Sequence, residues 1–362
     1  MTSPATETPG PSAQTRTAVV AAVVAALVIA VGTLLWSKWL PYQARVRELS
    51  AGHTWSGSSI LRAGGVQAGD PPSWSAATTF TWAYLQAVWK ALVAALLISA
   101  AVQTLIPRGW LLRMLNRRSR AAGALAGGLA ATPSMMCACC SAPVAVSLRR
   151  SGVSTSAVVA YWLGNPLLNP AVLIFLALVA PWQWSVTRLV VGGLVVVGGA
   201  ALVARLTDRP APDAVVTALG PADTEPRTPG RLLRDYGRVL LRLAVTLVPE
   251  YLVVVLLIGA FRGWLFPLGG EAAGPVVLVV LVAAVLGTLM VIPTGGEIPI
   301  LQGLALAGLS LGPIGALLVT LPAVSLPGLA MVIRSFGARV TAATTGVVVA
   351  GGMLGAALLA VL

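Results

Sequence analysis

The sequence predicts an all-α polytopic membrane protein made of two inverted-topology repeats. Each repeat has about three full spans plus a re-entrant broken hairpin, and one extra helix stands at the N-terminus. Three observations lead there. Hydrophobic residues make up 57% of the 362 residues, charged residues only 10%, and the mean hydropathy is +0.89. A soluble domain carries about 25% charged residues, so this chain cannot clothe a globular surface in water. The apolar residues form continuous, Ala-, Leu- and Gly-rich runs of about 20, the length that carries a helix across about 30 Å of hydrocarbon. They are not the alternating ten-residue segments of a membrane barrel. Finally, a shift of 156 residues places Pro143 on Pro299, Gly152 on Gly308, Ser154 on Ser310 and Pro166 on Pro322.

The net charge of +13 sits in short segments between the apolar runs, which is the pattern of cytoplasmic loops. No nucleic-acid partner is expected; the lipid bilayer is. One His and three Cys exclude a His-rich metal site and a disulfide framework, and nothing calls for a resident cofactor.

In chain order, residues 1–17 are polar and Pro-rich and read as a disordered tail. Residues 18–36 are too long for a signal-peptide core and lack a small-residue cleavage site, so they read as a retained transmembrane helix. Residues 37–83 read as an extracytoplasmic loop, with His53 a solvated loop residue. Repeat 1 is expected over 84–205. Its first span, near 84–106, is followed by Arg108, Arg113, Arg117, Arg118 and Arg120 with no acid between them, the clearest cytoplasmic marker in the chain. Residues 121–148 are apolar but broken by Gly and Pro, with Arg149 and Arg150 next. If both basic clusters are inside, these 28 residues enter and leave by one face as two half-helices. A bundle of full spans without re-entry is the alternative. Residues 206–237 read as a cytoplasmic linker, and 238–362 as repeat 2, whose hairpin is expected near 275–311.

Because three spans per half make the halves antiparallel, the plan matches that of secondary transporters, whose broken helices meet near the midplane. The expected place is the cell inner (plasma) membrane, with the N-terminus and central linker cytoplasmic.

The first hairpin tip, Pro133 to Pro143, holds Met136, Cys137, Cys139 and Cys140. Clustered thiols are soft ligands suited to Cu(I), Zn or a thiophilic metalloid. Cysteines also pack as small apolar residues where helices approach, and chemistry alone leaves both readings open. The second tip holds Thr294 and Glu297. A carboxylate near the midplane is a proton or cation site by default, unless the tip lies near water. Lys90 and Glu250 occupy equivalent places when Leu96-Leu97-Ile98 is laid on Leu256-Leu257-Ile258. They read as an intramembrane charge pair or proton site, or as groups that snorkel to the interface. Asn165 and Asn169, each before a proline, share a helix face at a kink that lines a substrate path or is purely structural. Pro143, Pro166, Pro299 and Pro322 are the expected structural breaks.

The run Cys137-Ala-Cys139, Pro143, Leu148-Arg149-Arg150-Ser-Gly152, Asn165-Pro166 and Asn169-Pro170 resembles the predicted permease family that includes the organoarsenical efflux permeases (ArsP-like). Pro293, Glu297-Ile-Pro299, Gly308, Pro322 and Ser325-Leu-Pro327 resemble its second block. The resemblance covers about 80–362. It implies export of trivalent organoarsenicals, with the cysteine role falling on Cys137 and Cys139; Cys140 stands where Gly is expected and adds a third ligand or alters specificity.

The function expected is therefore a permease, not an enzyme, exporting a small thiophilic metalloid or metal compound; homo-oligomerisation is left open. No Gly-x-x-x-x-Gly-Lys-Ser/Thr occurs, so the chain carries no ATPase of its own. The rivals are a permease for an unrelated small solute with structural cysteines, and a non-transporting membrane protein for redox or metal sensing.

Overall fold

The computed structural model describes residues 13–55, 60–208, 229–265 and 276–362. Residues 1–12 of the expected tail and 209–228 of the expected linker lie outside them. Among the described residues every regular element is helical. Six helices are long and apolar enough to cross a membrane, or seven if one bent pair counts as a single span.

The helices are α1 (Ala13–Leu34), α2 (Leu40–Gly52), α3 (Trp74–Thr104), α4 (Arg108–Leu115), α5 (Arg120–Ala131), α6 (Ala138–Arg150), α7 (Thr155–Leu167) and α8 (Pro170–Val179). There follow α9 (Trp182–Gly193), α10 (Ala200–Thr207), α11 (Pro229–Leu265), α12 (Val276–Leu289), α13 (Glu297–Leu306), α14 (Leu311–Ala323), α15 (Leu326–Phe336) and α16 (Ala338–Val361).

The N-terminal region differs from its reading as a short span and a long loop. Residues 13–17 are already helical. The helix then passes through a π-turn at Leu35–Trp39 and continues to Gly52. Pro41 lacks the N–H for an i→i−4 bond, and the preceding π-turn, in which Leu40 N–H reaches the Leu35 carbonyl, accommodates it. The loop reading fails because one Pro and scattered charges resemble loop composition, while Lys38 and Tyr42 find partners inside the protein. The first span of repeat 1 likewise begins earlier, at Trp74, where the Ser73 hydroxyl accepts from Ala76 N–H at 3.0 Å.

The internal repeat is visible in element boundaries. Helices α7, α8 and α9 start at Thr155, Pro170 and Trp182; α14, α15 and α16 start at Leu311, Leu326 and Ala338. Each start recurs 156 residues later. The turns before α7 and α14 share one backbone form. Gly152 (φ 90°) and Gly308 (φ 88°) take left-handed conformations, which favour glycine, and both close helix ends with 3.0–3.1 Å backbone bonds.

Two helix pairs are too short to span. Helices α5 and α6 rise about 18 and 20 Å, and α12 and α13 about 21 and 15 Å, at 1.5 Å per residue. Each pair is interrupted by a short stretch without α-helix, at residues 132–137 and 290–296. Helix α5 packs along α7 and α12 along α14, while α3 packs along α11. Small residues allow this closeness: a Cβ on Gly127 would stand 2.0 Å from the Ala157 carbonyl oxygen.

Of the four prolines expected to break helices, Pro166 and Pro322 lie one residue before the ends of α7 and α14, and α14 and α15 meet at 53°. Pro143 and Pro299 do not break theirs. Pro299 falls in the first turn of α13, where its N–H has no partner to lose. Pro143 lies within a continuous α6, where surrounding packing holds the helix together and Ser147 Oγ donates to the Pro143 carbonyl at 2.9 Å.

Candidate functional site: three thiols at the tip of a helical hairpin

The first tip is built by ending one helix early and starting the next late. Helix α5 gives way to a 3₁₀ turn at Thr132–Ser134. Met135 then takes a left-handed conformation (φ 48°), which costs a non-glycine residue of order 1 kcal/mol and clusters at functional positions. Cys137 is the extended residue preceding α6, and Cys139 and Cys140 lie in its first turn. A residue before a helix and one three positions on share a face, so the side chains converge. Cys137 Sγ lies 3.2 Å from Cys139 Sγ and 2.8 Å from Cys140 Sγ, and the latter two are 4.0 Å apart. All three are free and buried. Thiolates bound at about 2.3 Å to one ion stand about 3.8 Å apart at tetrahedral angles, so a small outward rotation would let all three hold one soft atom.

The surrounding residues support this tip. Tyr84 of α3 and Tyr251 of α11 place their hydroxyls 3.2 and 3.7 Å from Cys139 Sγ. Trp162 Nε1 donates to the Ala138 carbonyl at 2.8 Å. Asn165 braces the opposite side. Its Oδ1 accepts from Met136 N–H at 3.2 Å and from the Ser134 hydroxyl, while Nδ2 donates to the Tyr161 carbonyl at 2.8 Å. Asn165 thus positions the tip. Asn169 caps α8 through bonds of 3.1 and 3.4 Å to Ala171 and Val172 N–H, and its buried Nδ2 has no partner. Met136 is fully buried beside the thiols.

At the second tip, Glu297 is not a lone carboxylate. Arg188 of α9 donates to its Oε1 at 2.8 Å, with both side chains sealed from solvent. The same guanidinium donates to the Pro166 and Leu167 carbonyls at 2.7 and 3.3 Å. These carbonyls are free because Pro170 lacks an N–H and Ala171 N–H turns to Asn169. A polar chain thus runs from the first tip through Asn165 and the broken α7 to Arg188, Glu297 and the second tip. Thr294, half-buried, accepts from Lys38 Nζ at 3.3 Å.

The expected Lys90–Glu250 pair does not form. Glu250 lies 3.3 Å from Arg334 of α15, and Lys90 sits 5.8 Å from the ring centres of Trp36 and Trp89. Alignment by Leu-Leu-Ile matched the helices but said nothing about which faces meet. The residues missed by sequence reasoning are Lys38, Arg188, Tyr84 and Tyr251. Arg188 had a signal, being an arginine about a quarter of the way into the apolar run Trp182–Thr207; Lys38 had none while its segment read as loop.

The π-turn between α1 and α2 lies against both tips. Trp39 Nε1 donates to the Pro133 carbonyl at 2.8 Å, Tyr42 Oη to the Met135 carbonyl at 3.3 Å, and Lys38 reaches Thr294.

The ArsP_1 family, described as a predicted permease, matches residues 73–361. The chain is 40% identical to UPF0718 protein YraQ of Escherichia coli (strain K12) over 326 residues, which is 90% of this chain and 91% of that one. No solved structure matches. With its membrane-length helices and this match over most of its length, the chain belongs to the ArsP_1 predicted permease family and is a multi-pass membrane permease.

Proposed function

We propose that this permease exports a small thiophilic metalloid or metal compound, such as a trivalent organoarsenical, out of the cytoplasm across the inner membrane. The observation that carries the reading is the convergence of three free, buried Sγ atoms within 4.8 Å of one another at a non-helical tip. Non-helical backbone at membrane depth belongs where it lines a path or is buried in protein. Three thiols are the donor set a soft atom prefers over oxygen ligands.

The transport cycle follows the inverted-repeat plan, with the two tips approaching the midplane from opposite sides. Charge and aromatic residues support that orientation. Arg108, Arg113, Arg117, Arg118 and Arg120 are all exposed around the base of the first hairpin. Trp74, Trp182 and Trp264, exposed at 57–75%, stand at helix ends remote from those arginines, as an interfacial belt does. In this reading the N-terminus and linker are cytoplasmic. Export in this reading is coupled to protons or membrane potential.

The test is uptake of trivalent methylarsenite, with arsenite as comparison, into everted vesicles. Accumulation by wild type that is lost in a Cys137/Cys139/Cys140→Ser triple variant is the expected result. Accumulation that survives the triple substitution assigns the cysteines to packing, and none by wild type removes arsenic from the reading.

A further inference from the structure

A cavity of about 250 Å³ lies between the α1–α2 elbow, α3 and the second tip. Its polar lining is Ser37, Lys38, Tyr42, Gln86, Lys90 and Thr294. Two of these are cations and none is an acid. About 21 Å of helix rise separates Lys90 from Thr104 at the basic end of α3, so the cavity sits well inside the membrane-spanning part of the fold. Positive charge at that depth is costly and marks a ligand or ion path by default.

The donors are not used up. Lys38 is only 6% exposed, and its ammonium donates to Tyr42 Oη at 3.0 Å and Thr294 Oγ1 at 3.3 Å. An ammonium has three N–H donors, so one remains. Ser37, 8% exposed, lines the same cavity with a hydroxyl that has no partner. Lys90 rests over the Trp36 and Trp89 rings. Among the described residues no carboxylate pairs with either lysine. Buried charges are normally paired; here, among the described residues, the protein supplies the buried Lys38, the neighbouring Lys90 and spare donors but no carboxylate counter-ion.

We propose that this cavity is a binding site for an anionic oxygen group, a carboxylate or phosphate, held by Lys38 and Lys90 with Ser37 and Thr294 as hydroxyl partners. Half of this set comes from the N-terminal helices, ahead of the residue at which the family match begins. The elbow also touches the tip that carries the thiols. Taken with the function proposed above, on which this one step rests, the two sites describe a solute with a soft atom and an anionic group.

The test does not depend on transport. Purified full-length protein in phosphatidylcholine nanodiscs is titrated with benzoate and with its neutral isostere benzamide, and isothermal titration calorimetry reports binding. Benzoate is expected to give a saturable change and benzamide none. Lys38→Gln and Lys90→Gln should each weaken benzoate binding about tenfold or more, which is about 1.4 kcal/mol, and Lys38→Arg should retain it. Lys90 is exposed, so its substitution keeps the test valid if Lys38→Gln fails to fold. Equal responses to benzoate and benzamide, or wild-type affinity in both Gln variants, overturn the proposal. Exchanging phosphatidylcholine for phosphatidylglycerol separates the anion's source. Loss of benzoate affinity there assigns the site to a lipid headgroup, and unchanged affinity assigns it to a solute. The benzoate titration uses no arsenical and no transport, so failure of the thiol reading and failure of this one are told apart.

Discussion

Arg188 and Glu297 form a 2.8 Å ion pair sealed from solvent, and the same arginine holds the two carbonyls released where α7 breaks. One guanidinium therefore fixes the second hairpin to the kinked span that braces the first. Glu297→Gln leaves a buried guanidinium without its counter-charge, at a cost of about 3–5 kcal/mol. The expected result is a clear fall in the thermal midpoint, read by detergent-solubilised size-exclusion thermostability. An Arg188→Met, Glu297→Leu double variant should recover only part of the loss, because the Pro166 and Leu167 carbonyls stay unpartnered. Full recovery would mean that Arg188 serves Glu297 alone.

The three thiols should act as one ligand set. Purified wild type is expected to bind one arsenite per chain, its three As–O bonds exchanged for three As–S bonds with release of three waters, measured by elemental analysis after desalting. Substituting any one of Cys137, Cys139 or Cys140 by Ser should weaken binding about tenfold or more. Affinity that is indifferent to Cys140→Ser would reduce the set to two.

Asn165 positions the tip without touching the solute. Its replacement by Ala orphans the buried Met136 N–H, worth about 1–3 kcal/mol, and leaves the Ser134 hydroxyl with the Ala131 carbonyl alone. The tip should loosen, so maleimide labelling of the native protein at Cys137, Cys139 and Cys140 is expected to speed up. Labelling at the wild-type rate would count against the bracing role.

Helix α5 depends on Gly127. A Cβ there would stand 2.0 Å from the Ala157 carbonyl oxygen, a backbone atom that cannot rotate away. Gly127→Ala should separate α5 from α7 and abolish monodisperse expression. Gly193, which has nothing within 4 Å, should tolerate the same change; a folded Gly127→Ala protein would show that the helices can slide apart cheaply.

Sequence by itself determined the membrane class, the all-helical fold, and the 156-residue recurrence of three helix starts. Apolar run length, Pro and Gly placement, and flanking arginines are local properties, and each leaves a mark that needs no partner to be read. The thiol tip was legible for the same reason: three cysteines within four positions meet through the geometry of one helix start. Tertiary structure alone decided which charges meet. Arg188 and Glu297 are 109 residues apart, Lys38 and Thr294 are 256 apart, and Glu250 turned to Arg334 rather than Lys90. The pairing of such residues depends on which helix faces pack together, and in an apolar chain nearly every face is compatible with burial. The polar contacts that select one arrangement are therefore few, distant in sequence, and visible only once the helices are assembled.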